Sequence, residues 1–440
     1  MKKTRVLIAF MLALVALATF MVGCAKKPET LKVLYYIDAT QAGYDVDQAI
    51  WAKFQKDNPD IKLEKEELFN EPFHQKMQAY IAAGTLPDVF YMWPSGRSQA
   101  IHDKKLSKDM VQLLGKDYLA NFSAAAQDPA NQGANYIAEI PQSFTYTTTV
   151  YVNKKLLADN GLAIPKTYDE MKAMVPKLKA KGIETLFIPN KDKWPAQSCL
   201  YSTVLGRMVG NKFIDEVKAG TAKFTAPEFV ASLGFMAQMY KDGVIAKNDA
   251  TIGYGEGPGL FAAGKAAMMV DGDWRVGAFV TDKASGKALI PPAAQATDWE
   301  LVNFPAIPGE KNPGTVSAIA GVGYGIASTI PAGSAKEKAA VRLVKYLYSP
   351  EVQKIRYETG AYIPTLKGVT SDKVEPLTTK LAAYYTTIPS TCYVFDGVVD
   401  PSINNVLQDG LQALLAGSGN SAKIAADMQK AMDAWIATKK

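Results

Sequence analysis

Two carboxylates stand close together in the stretch MMVDGDWRVG (268–277), directly after an apolar run. Asp271 and Asp273 are separated by Gly272, so in an extended chain both side chains point the same way. The pattern allows a catalytic acid–base pair, a surface turn or one wall of a binding cleft. Glycosidase carboxylates flank the scissile bond about 5–9 Å apart, a spacing that two residues at one strand end supply poorly. The interpretation favoured here is a cleft wall, with Asp271 structural and Asp273 a hydroxyl acceptor or a solvated turn residue.

Other catalytic motifs are missing from the sequence. It contains no G-x-S-x-G, no G-x-x-x-x-G-K-[ST], no H-E-x-x-H and no C-x-x-C. Its two histidines, His74 and His102, match no local ligand spacing, and both are predicted on polar surfaces. We therefore expect no metal site and no cofactor. The glycine-rich GVGYG (321–325) opens no helix, which predicts a strand approached closely by another backbone or by a ligand.

Three tryptophans follow predicted strand ends and have proline, glycine or charged neighbours, namely Trp93, Trp194 and Trp274. In open α/β sheets, ligands bind beyond the carboxyl ends of strands. A flat ring beside polar groups suits a neutral polyol, because the ring packs on C–H groups while the polar groups take hydroxyls. These three residues are predicted ligand contacts, whereas Trp51 and Trp435 lie on helical stripes and are assigned to the core.

The elements that must position these residues alternate between strand and helix. LKVLYYI (31–37), IKLEKEEL (61–68) and DVFYMW (88–93) read as strands with helices between them. This order predicts a parallel sheet with helices on both faces. The glycine-rich stretch 253–259 and the loop 281–298 are predicted to run over the surface of the protein.

Several helix starts carry capping signals. Thr167, Thr225 and Ser334 each precede a glutamate by three residues, the spacing of a capping box. Ser349 precedes a proline, which favours a helix start there. Two C-terminal helices are predicted, about 403–416 and 422–436, with Ser421 as a cap.

The N-terminus has the layout of an export signal. Positive residues precede an apolar run from Val6 to Val22, and Gly23-Cys24 follows. A bare membrane anchor is the alternative, but the small residue before Cys24 resembles a bacterial lipobox. We expect residues 1–23 to be a signal peptide, Cys24 to carry lipid and 24–30 to be a tether. The formal charge of +6 falls to +3 without Lys2, Lys3 and Arg5 of the signal, which is too weak to imply a nucleic-acid partner. Cys199 and Cys392 could pair or be buried as free thiols.

Four stretches together resemble a known family. They are AAGTLPDVFYMWPSG (82–96), YVNKKLLADNGLAIPKTYDEM (151–171), FAAGKAAMMVDGDW (261–274) and GYGIASTIPAGSAKEKAAVRLVKYLYSPEVQKIRYETGAYIPT (324–365). They resemble the extracellular solute-binding proteins of ABC importers, and within them the sugar-binding group that includes maltose-binding protein.

The resemblance implies an α/β, two-lobed periplasmic-binding-protein fold of type II. Three crossings would join the lobes, and the ligand cleft would lie between them. The N-terminal lobe would comprise 31–144 and 316–364, and the C-terminal lobe 145–315 and 365–440.

The resemblance also implies a site, partners and a location. The ligand would be a carbohydrate, the partners ABC permease transmembrane subunits and the membrane that holds the anchor, and the protein an extracytoplasmic monomer. Cleft positions by family pattern are Tyr36, Asp38, Trp93, Tyr146, Trp194, Trp274, Tyr362, Tyr393 and Phe395, to which local polarity adds Arg97 and Asp273.

Two departures argue against maltose itself. Tyr146 stands where maltose-binding protein has an acidic residue, and 391–396 contains no tryptophan. Two alternatives stay open. One is a surface lipoprotein glycoside hydrolase using Asp271, Asp273 or Glu256, and the other is a binder of a phosphorylated polyol through Arg97 and Arg275.

Overall fold

A computed structural model describes residues 27–37, 39, 43–93, 95–128, 134–360 and 362–438. Eleven strands are present in these ranges: β1 Glu29–Tyr36, β2 Ile61–Leu68, β3 Val89–Met92, β4 Phe144–Tyr146, β5 Thr149–Asn153, β6 Glu184–Phe187, β7 Ala266–Asp271, β8 Trp299–Val302, β9 Val316–Ala320, β10 Gly323–Ile326 and β11 Thr391–Cys392.

Helices connect or cover these strands throughout the described chain. They are α1 Tyr44–Asp57, α2 Glu71–Ala83, α3 Gln99–Asp103, α4 Met110–Leu114, α5 Lys116–Leu119, α6 Lys154–Asp159, α7 Tyr168–Lys179, α8 Trp194–Ala196, α9 Ser202–Met208, α10 Asn211–Lys218, α11 Pro227–Lys241, α12 Gly257–Ala262, α13 Val276–Phe279, α14 Pro292–Thr297, α15 Ala335–Leu347, α16 Pro350–Glu358, α17 Pro376–Tyr385, α18 Pro401–Leu415 and α19 Ser421–Ala437. Short 3-10 turns include Ser95–Ser98, Asp273–Arg275 and Phe395–Gly397, and a π-helical turn spans Gln197–Tyr201.

The first sheet has the strand order β10-β3-β1-β2. β1 pairs in parallel with both β2 and β3, which confirms the predicted parallel arrangement, and β10 joins antiparallel to β3. β1 starts at Glu29 rather than at Leu31, so Glu29 and Thr30 belong to the strand and not to the predicted tether. The other predicted N-terminal features, the signal peptide 1–23 and the lipid site Cys24, lie outside the described residues.

A second four-stranded sheet has the order β6-β7-β5-β8. Its central strand β7 is buried along its whole length. Because successive side chains alternate between faces, Met268 packs into one hydrophobic cluster and Met269 into another. This accounts for the unbroken apolar run that precedes Asp271.

A third sheet has three strands in the order β11-β9-β4. One large core contains residues from Leu31 to Ile140 together with Tyr324 to Val352. Most of the remaining buried hydrophobic residues form two other clusters, whose members lie between Val150 and Ile307 and between Leu377 and Met432. The chain therefore passes between the lobes three times, and the three-stranded sheet, called the hinge sheet below, carries two of the passages.

Helix caps follow the sequence signals at three of five positions. The hydroxyls of Thr167, Ser334 and Ser349 each accept a hydrogen bond from a backbone N–H in the first helical turn, as predicted. Thr225 is not a cap, because Pro227 occupies the first helical position and the chain enters α11 through Ala226. The cap of α19 is Asn420 rather than Ser421, since its side chain accepts from the N–H of Lys423.

The tryptophans assigned to the core lie there, and the two cysteines are buried as well. Trp51 is buried in the core of the first lobe. Trp435 packs against the larger hydrophobic cluster of the second lobe. Cys199 and Cys392 are both buried free thiols, so the disulfide alternative is wrong. Among the helices of the described ranges, none has the length and apolar character needed to cross a bilayer.

The glycine-rich strand is approached by another backbone, as the sequence predicts. Gly321 donates its N–H to the carbonyl oxygen of Ser143 at 2.8 Å. A Cβ placed at Gly323 would stand 1.7 Å from a carboxylate oxygen of Glu139 and 2.3 Å from the carbonyl oxygen of Ile140. Only glycine fits there without moving backbone.

We expect Gly323→Ala to lower the free energy of unfolding by about 1–3 kcal/mol, because the added methyl group has no space. Gly234→Ala is the matched control, since a methyl group at Gly234 in α11 meets no described atom within 4 Å. In a helix interior that substitution should stabilise by about 0.5–1 kcal/mol. Urea unfolding measures both changes. Equal effects of the two substitutions would contradict the close approach at Gly323.

Candidate functional site

A cleft of about 340 Å³ lies between the lobes, with the hinge sheet as its floor. Each of the three parts contributes side chains. The first lobe supplies Tyr36, Phe69, Asn70, His74, Tyr91, Trp93 and Arg97, the crossings supply Ser143, Thr145, Thr147, Ile319, Ala320, Gly321, Val322 and Tyr362, and the second lobe supplies Trp194, Ser198, Tyr254, Asp273, Trp274, Arg275, Ala278, Val394, Asp396 and Gly397.

Most predicted ligand contacts meet at this cleft. The structure brings together Tyr36, Trp93, Arg97, Trp194, Asp273, Trp274 and Tyr362. Asp38, also predicted, lies outside the described residues. The other three predicted residues, Tyr146, Tyr393 and Phe395, do not line the cleft.

Each of these three is turned away for an identifiable reason. Thr145 and Thr147 line the cleft, so Tyr146 between them points to the opposite face of the hinge sheet, where its ring contacts Tyr385. Phe395 is buried in the larger hydrophobic cluster of the second lobe. Tyr393 lines a neighbouring pocket of about 350 Å³ instead.

The first-lobe wall is a cluster of aromatic rings. The ring centroids of Tyr36 and Trp93 are 4.6 Å apart, and those of His74 and Trp93 are 4.8 Å apart. Burial, aided by the nearby Arg97 charge, lowers the pKa of His74 to about 2, so the imidazole is neutral. His74 is half-buried among aromatic rings and lines the cleft, so the prediction that it lies on a polar surface is wrong.

His102 is also buried, with 5% of its surface exposed, which again contradicts the predicted polar surface. It lies in the first lobe on α3 and does not line the cleft. Its burial lowers the pKa of the imidazole to about 4.

The second-lobe wall is built from Trp194, Tyr254 and Trp274. The ring centroids of Trp194 and Tyr254 are 4.5 Å apart, and Trp274 donates its indole N–H to the hydroxyl of Tyr254. The Trp274 ring lies against Gly272, where a Cβ would stand 2.1 Å from a ring carbon. The glycine between the two aspartates thus makes room for the tryptophan. Tyr254 is buried here, so the prediction that 253–259 is a surface excursion is wrong at this residue.

Asp271 is fully engaged in structural interactions. It accepts from Arg275 Nε at 2.6 Å, from the Tyr254 hydroxyl at 3.1 Å and from the Gly272 N–H at 2.7 Å. The Asp271 and Arg275 side chains are about 1–2% exposed. These contacts agree with the expected structural role of Asp271, whose carboxylate charge is paired with the Arg275 guanidinium.

Asp273 faces the hinge. Its Oδ2 accepts from the Tyr146 backbone N–H at 2.7 Å and from the Tyr385 hydroxyl at 2.5 Å. Burial raises the pKa of this carboxyl to about 7, while both hydrogen bonds act to lower it. Asp273 therefore links the cleft wall to the hinge strand β4 and to α17.

The two lobes touch at the rim of the cleft. Arg97 Nη2 lies 3.3 Å from Asp396 Oδ2, and Gly96 is so close to the carbonyl oxygen of Val399 that a Cβ would stand 2.8 Å from it. On another edge, Gly43 donates its N–H to Asp282 Oδ2 at 3.0 Å. The two lobes therefore contact each other directly at these positions.

Several cleft residues were missed by reasoning from sequence. Tyr254 and Asp396 occur in loops whose polarity resembles that of other surface loops, and His74 lies within α2. The GVGYG signal could have pointed to Gly321 and Val322 as ligand neighbours. Ser198, on the π-helical turn, had no sequence signal that we recognised.

The raised pKa of Asp273 predicts how stability depends on pH. Between about pH 4 and 7 the folded protein holds a proton that the unfolded chain has released. Stability should therefore fall as pH rises through this window, with a slope of up to about 1.4 kcal/mol per pH unit. Asp273→Asn removes the titration, so chemical unfolding across this range should show the wild type losing stability relative to the variant. If the difference in unfolding free energy between the wild type and Asp273→Asn stays constant with pH, the raised pKa of Asp273 is contradicted.

Comparison with known proteins gives the same architecture. The sequence pattern of a family described as bacterial extracellular solute-binding protein matches residues 38–354. A multiple sugar-binding protein of Streptococcus mutans is 24% identical over 337 residues, which cover 75% of this chain and 74% of that protein. A maltotriose-binding protein of Pyrococcus abyssi is 23% identical over 59% of this chain and 54% of its own length.

Solved structures show the same fold. A chitin oligosaccharide binding protein superposes with a TM-score of 0.81 at 23% identity, over 93% of this chain and 100% of that one. A maltose/maltodextrin-binding domain from Bdellovibrio bacteriovorus, bound to maltotriose, gives a TM-score of 0.71 at 21% identity, over 93% and 100%. The two-lobed periplasmic-binding-protein fold is thereby confirmed. Because the family pattern matches most of its length, the chain belongs to the bacterial extracellular solute-binding proteins.

Proposed function

We propose that this protein is the substrate-binding lipoprotein of an ABC importer and that it binds a neutral carbohydrate between its lobes. One observation carries the proposal. Two aromatic walls, Tyr36 with Trp93 and Trp194 with Trp274, come from opposite lobes and line one cleft. Aromatic faces suit the C–H surfaces of a sugar ring, and the polar groups between them suit its hydroxyls.

The charges of the cleft favour a neutral ligand over a phosphorylated polyol. Arg97 is paired with Asp396, and Arg275 with Asp271, so both arginines lining the cleft already face a carboxylate. A phosphate would have to compete with these carboxylates. The relatives named above support a carbohydrate, since their names record sugar, maltotriose and chitin oligosaccharide as what they bind.

In this proposal, ligand binding and closure of the lobes are thermodynamically coupled. Ligand stabilises the closed form in proportion to its preference for closed over open lobes. The lobes would be 31–144 with 316–364 and 145–315 with 365–440. The closed protein would act as a monomer, held outside the cytoplasmic membrane by lipid on Cys24, and would deliver its ligand to two permease subunits.

No catalytic step is part of the proposal. Asp271 is committed to Arg275, and Glu256 is an exposed residue that does not line the cleft. Prolonged incubation with oligosaccharides should therefore give saturable binding without release of shorter sugars, as followed by chromatography. Hydrolysis that survives in Trp274→Ala but not in Asp273→Asn would favour the glycosidase alternative.

A thermal-shift screen against mono- and oligosaccharides tests the function directly. Ligand at about 100 times its dissociation constant should add ~2.7 kcal/mol to the free energy of unfolding. The melting temperature should rise by several degrees with a carbohydrate and not with a phosphorylated polyol. A rise with the phosphorylated polyol alone would overturn the choice of ligand class.

Trp274→Ala should then weaken the binding of the best carbohydrate at least about tenfold, because a stacking surface is lost. Trp435→Phe, on α19 and away from the cleft, is the matched control and should leave affinity unchanged. Isothermal titration calorimetry measures both. Equal affinities of Trp274→Ala and the wild type would remove Trp274 from the site.

A further inference from the structure

Buried polar side chains connect the interior of the first lobe to the cleft through one glutamine, Gln142. This residue is 2% exposed and lies just before the hinge strand β4. Its side-chain oxygen Oε1 accepts two hydrogen bonds, from Arg356 Nη1 at 2.5 Å and from the Tyr362 hydroxyl at 3.0 Å. Because Tyr362 lines the cleft, a single acceptor atom joins a buried guanidinium to a residue of the candidate site.

The backbone of Gln142 contacts the other two crossings as well. Its N–H donates to the Val322 carbonyl oxygen at 3.0 Å, and its carbonyl oxygen accepts from the Thr365 N–H at 2.9 Å. Val322 lies in the crossing that follows β9, and Thr365 lies in the crossing that contains Tyr362. All three passages of the chain between the lobes are therefore hydrogen-bonded at one residue.

The helix α16 supplies the positive charge of this network. Its residue Arg356 is 6% exposed, and Nη2 of the guanidinium pairs with Asp47 Oδ1 on α1 at 2.8 Å. The other carboxylate oxygen of Asp47 accepts from Trp51 Nε1 at 3.0 Å, and Trp51 is part of the first-lobe core. The guanidinium is thus fixed by the core on one side and donates to Gln142 on the other.

The arginine determines which end of the Gln142 amide faces it. A guanidinium only donates hydrogen bonds, so the amide must turn its oxygen rather than its NH2 group toward Arg356. That oxygen has a second lone pair, to which the Tyr362 hydroxyl donates. Gln353 Oε1 is farther from this hydroxyl, at 3.5 Å, where a hydrogen bond is weak. The position of the phenol therefore depends on Gln142, and through it on Arg356.

We propose that Arg356 and Gln142 are positioning residues for Tyr362, which hold its ring in the cleft wall without contacting the ligand themselves. Neither is among the described residues that line the cleft. A ring that is already held in place need not be ordered when ligand binds, and such preorganisation raises affinity. This inference rests on the proposed function and names residues outside the cleft that determine how tightly it binds.

A double-mutant cycle measured by isothermal titration calorimetry tests the proposal. The probe is whichever of maltotriose, raffinose, a chitin oligosaccharide and a xylo-oligosaccharide binds the wild type most tightly. Gln142→Met removes the acceptor oxygen and keeps the length of the side chain, whereas Tyr362→Phe removes the donor and keeps the ring. Each should weaken binding by about three- to tenfold. The double variant should bind no more weakly than the poorer single variant, because both changes break the same hydrogen bond.

Two further variants distinguish positioning from a general effect of substitution. Gln142→Glu keeps an oxygen facing Arg356 and Tyr362, so its affinity should stay within about twofold of the wild type. Arg356→Lys keeps a positive charge for Asp47 but has one side-chain nitrogen in place of the two-pronged guanidinium. It should weaken binding in the wild type and add no further loss to Gln142→Met.

Val344→Ala is the matched control for lost stability. Val344 is buried in the first-lobe core on α15 and does not line the cleft. The variant should lower the free energy of unfolding and leave affinity unchanged. Circular dichroism shows which variants fold. If Gln142→Met does not fold, Arg356→Lys takes its place in the cycle with Tyr362→Phe, since the same absence of additivity is expected.

The outcomes separate the two proposals. If a saccharide binds the wild type and either Gln142→Met or Tyr362→Phe binds it equally tightly, Gln142 does not position Tyr362 for binding, while the proposed function stands. The same conclusion follows if the two losses multiply in the double variant, or if Gln142→Glu binds as weakly as Gln142→Met. If none of the probes and no sugar of the thermal-shift screen binds the wild type, the proposed function fails and this inference fails with it.

Discussion

The buried ion pair between Asp271 and Arg275 is the interaction on which the cleft depends. It lies at the end of β7, where a strand buried on both faces must turn sharply. Breaking such a pair by removing one partner typically costs about 3–5 kcal/mol, because the remaining charge is left buried. The Arg275 guanidinium also lies 3.8 Å from the centroid of the Tyr254 ring. The pair therefore fixes the 3-10 turn that carries Trp274 and the tyrosine that supports it.

That turn connects the cleft to the hinge. Asp273 accepts hydrogen bonds from Tyr146 on β4 and from Tyr385 on α17, so one residue joins the ligand wall, the floor and a helix of the second lobe. On the other side of β4, the Thr147 hydroxyl donates to the Ser198 carbonyl oxygen at 2.8 Å. The hinge strand is thus bonded to both segments that present side chains to the cleft. The same hydrogen bonds therefore join the hinge strand to the walls of the cleft.

The electrostatics of the cleft follow from burial. His74 is kept neutral, both lining arginines are paired, and Asp273 titrates near pH 7. A site with balanced charge and large aromatic surfaces is suited to a neutral ligand.

The sequence by itself determined the order of strands and helices, three of the helix caps, the close approach at the GVGYG strand and the tryptophans at the cleft. These follow from local rules, since periodicity, capping hydroxyls and glycine conformations act within a few residues. Only the tertiary structure decided that Thr145 rather than Tyr146 faces the cleft, because the phase of alternation in a three-residue strand depends on what packs on each face. It also decided that Phe395 is core, that His74 joins the aromatic wall and that Asp271 pairs with Arg275. The positions of Phe395 and His74 depend on partners distant in sequence, and the Asp271–Arg275 pair, though local in sequence, depends on the burial of both side chains.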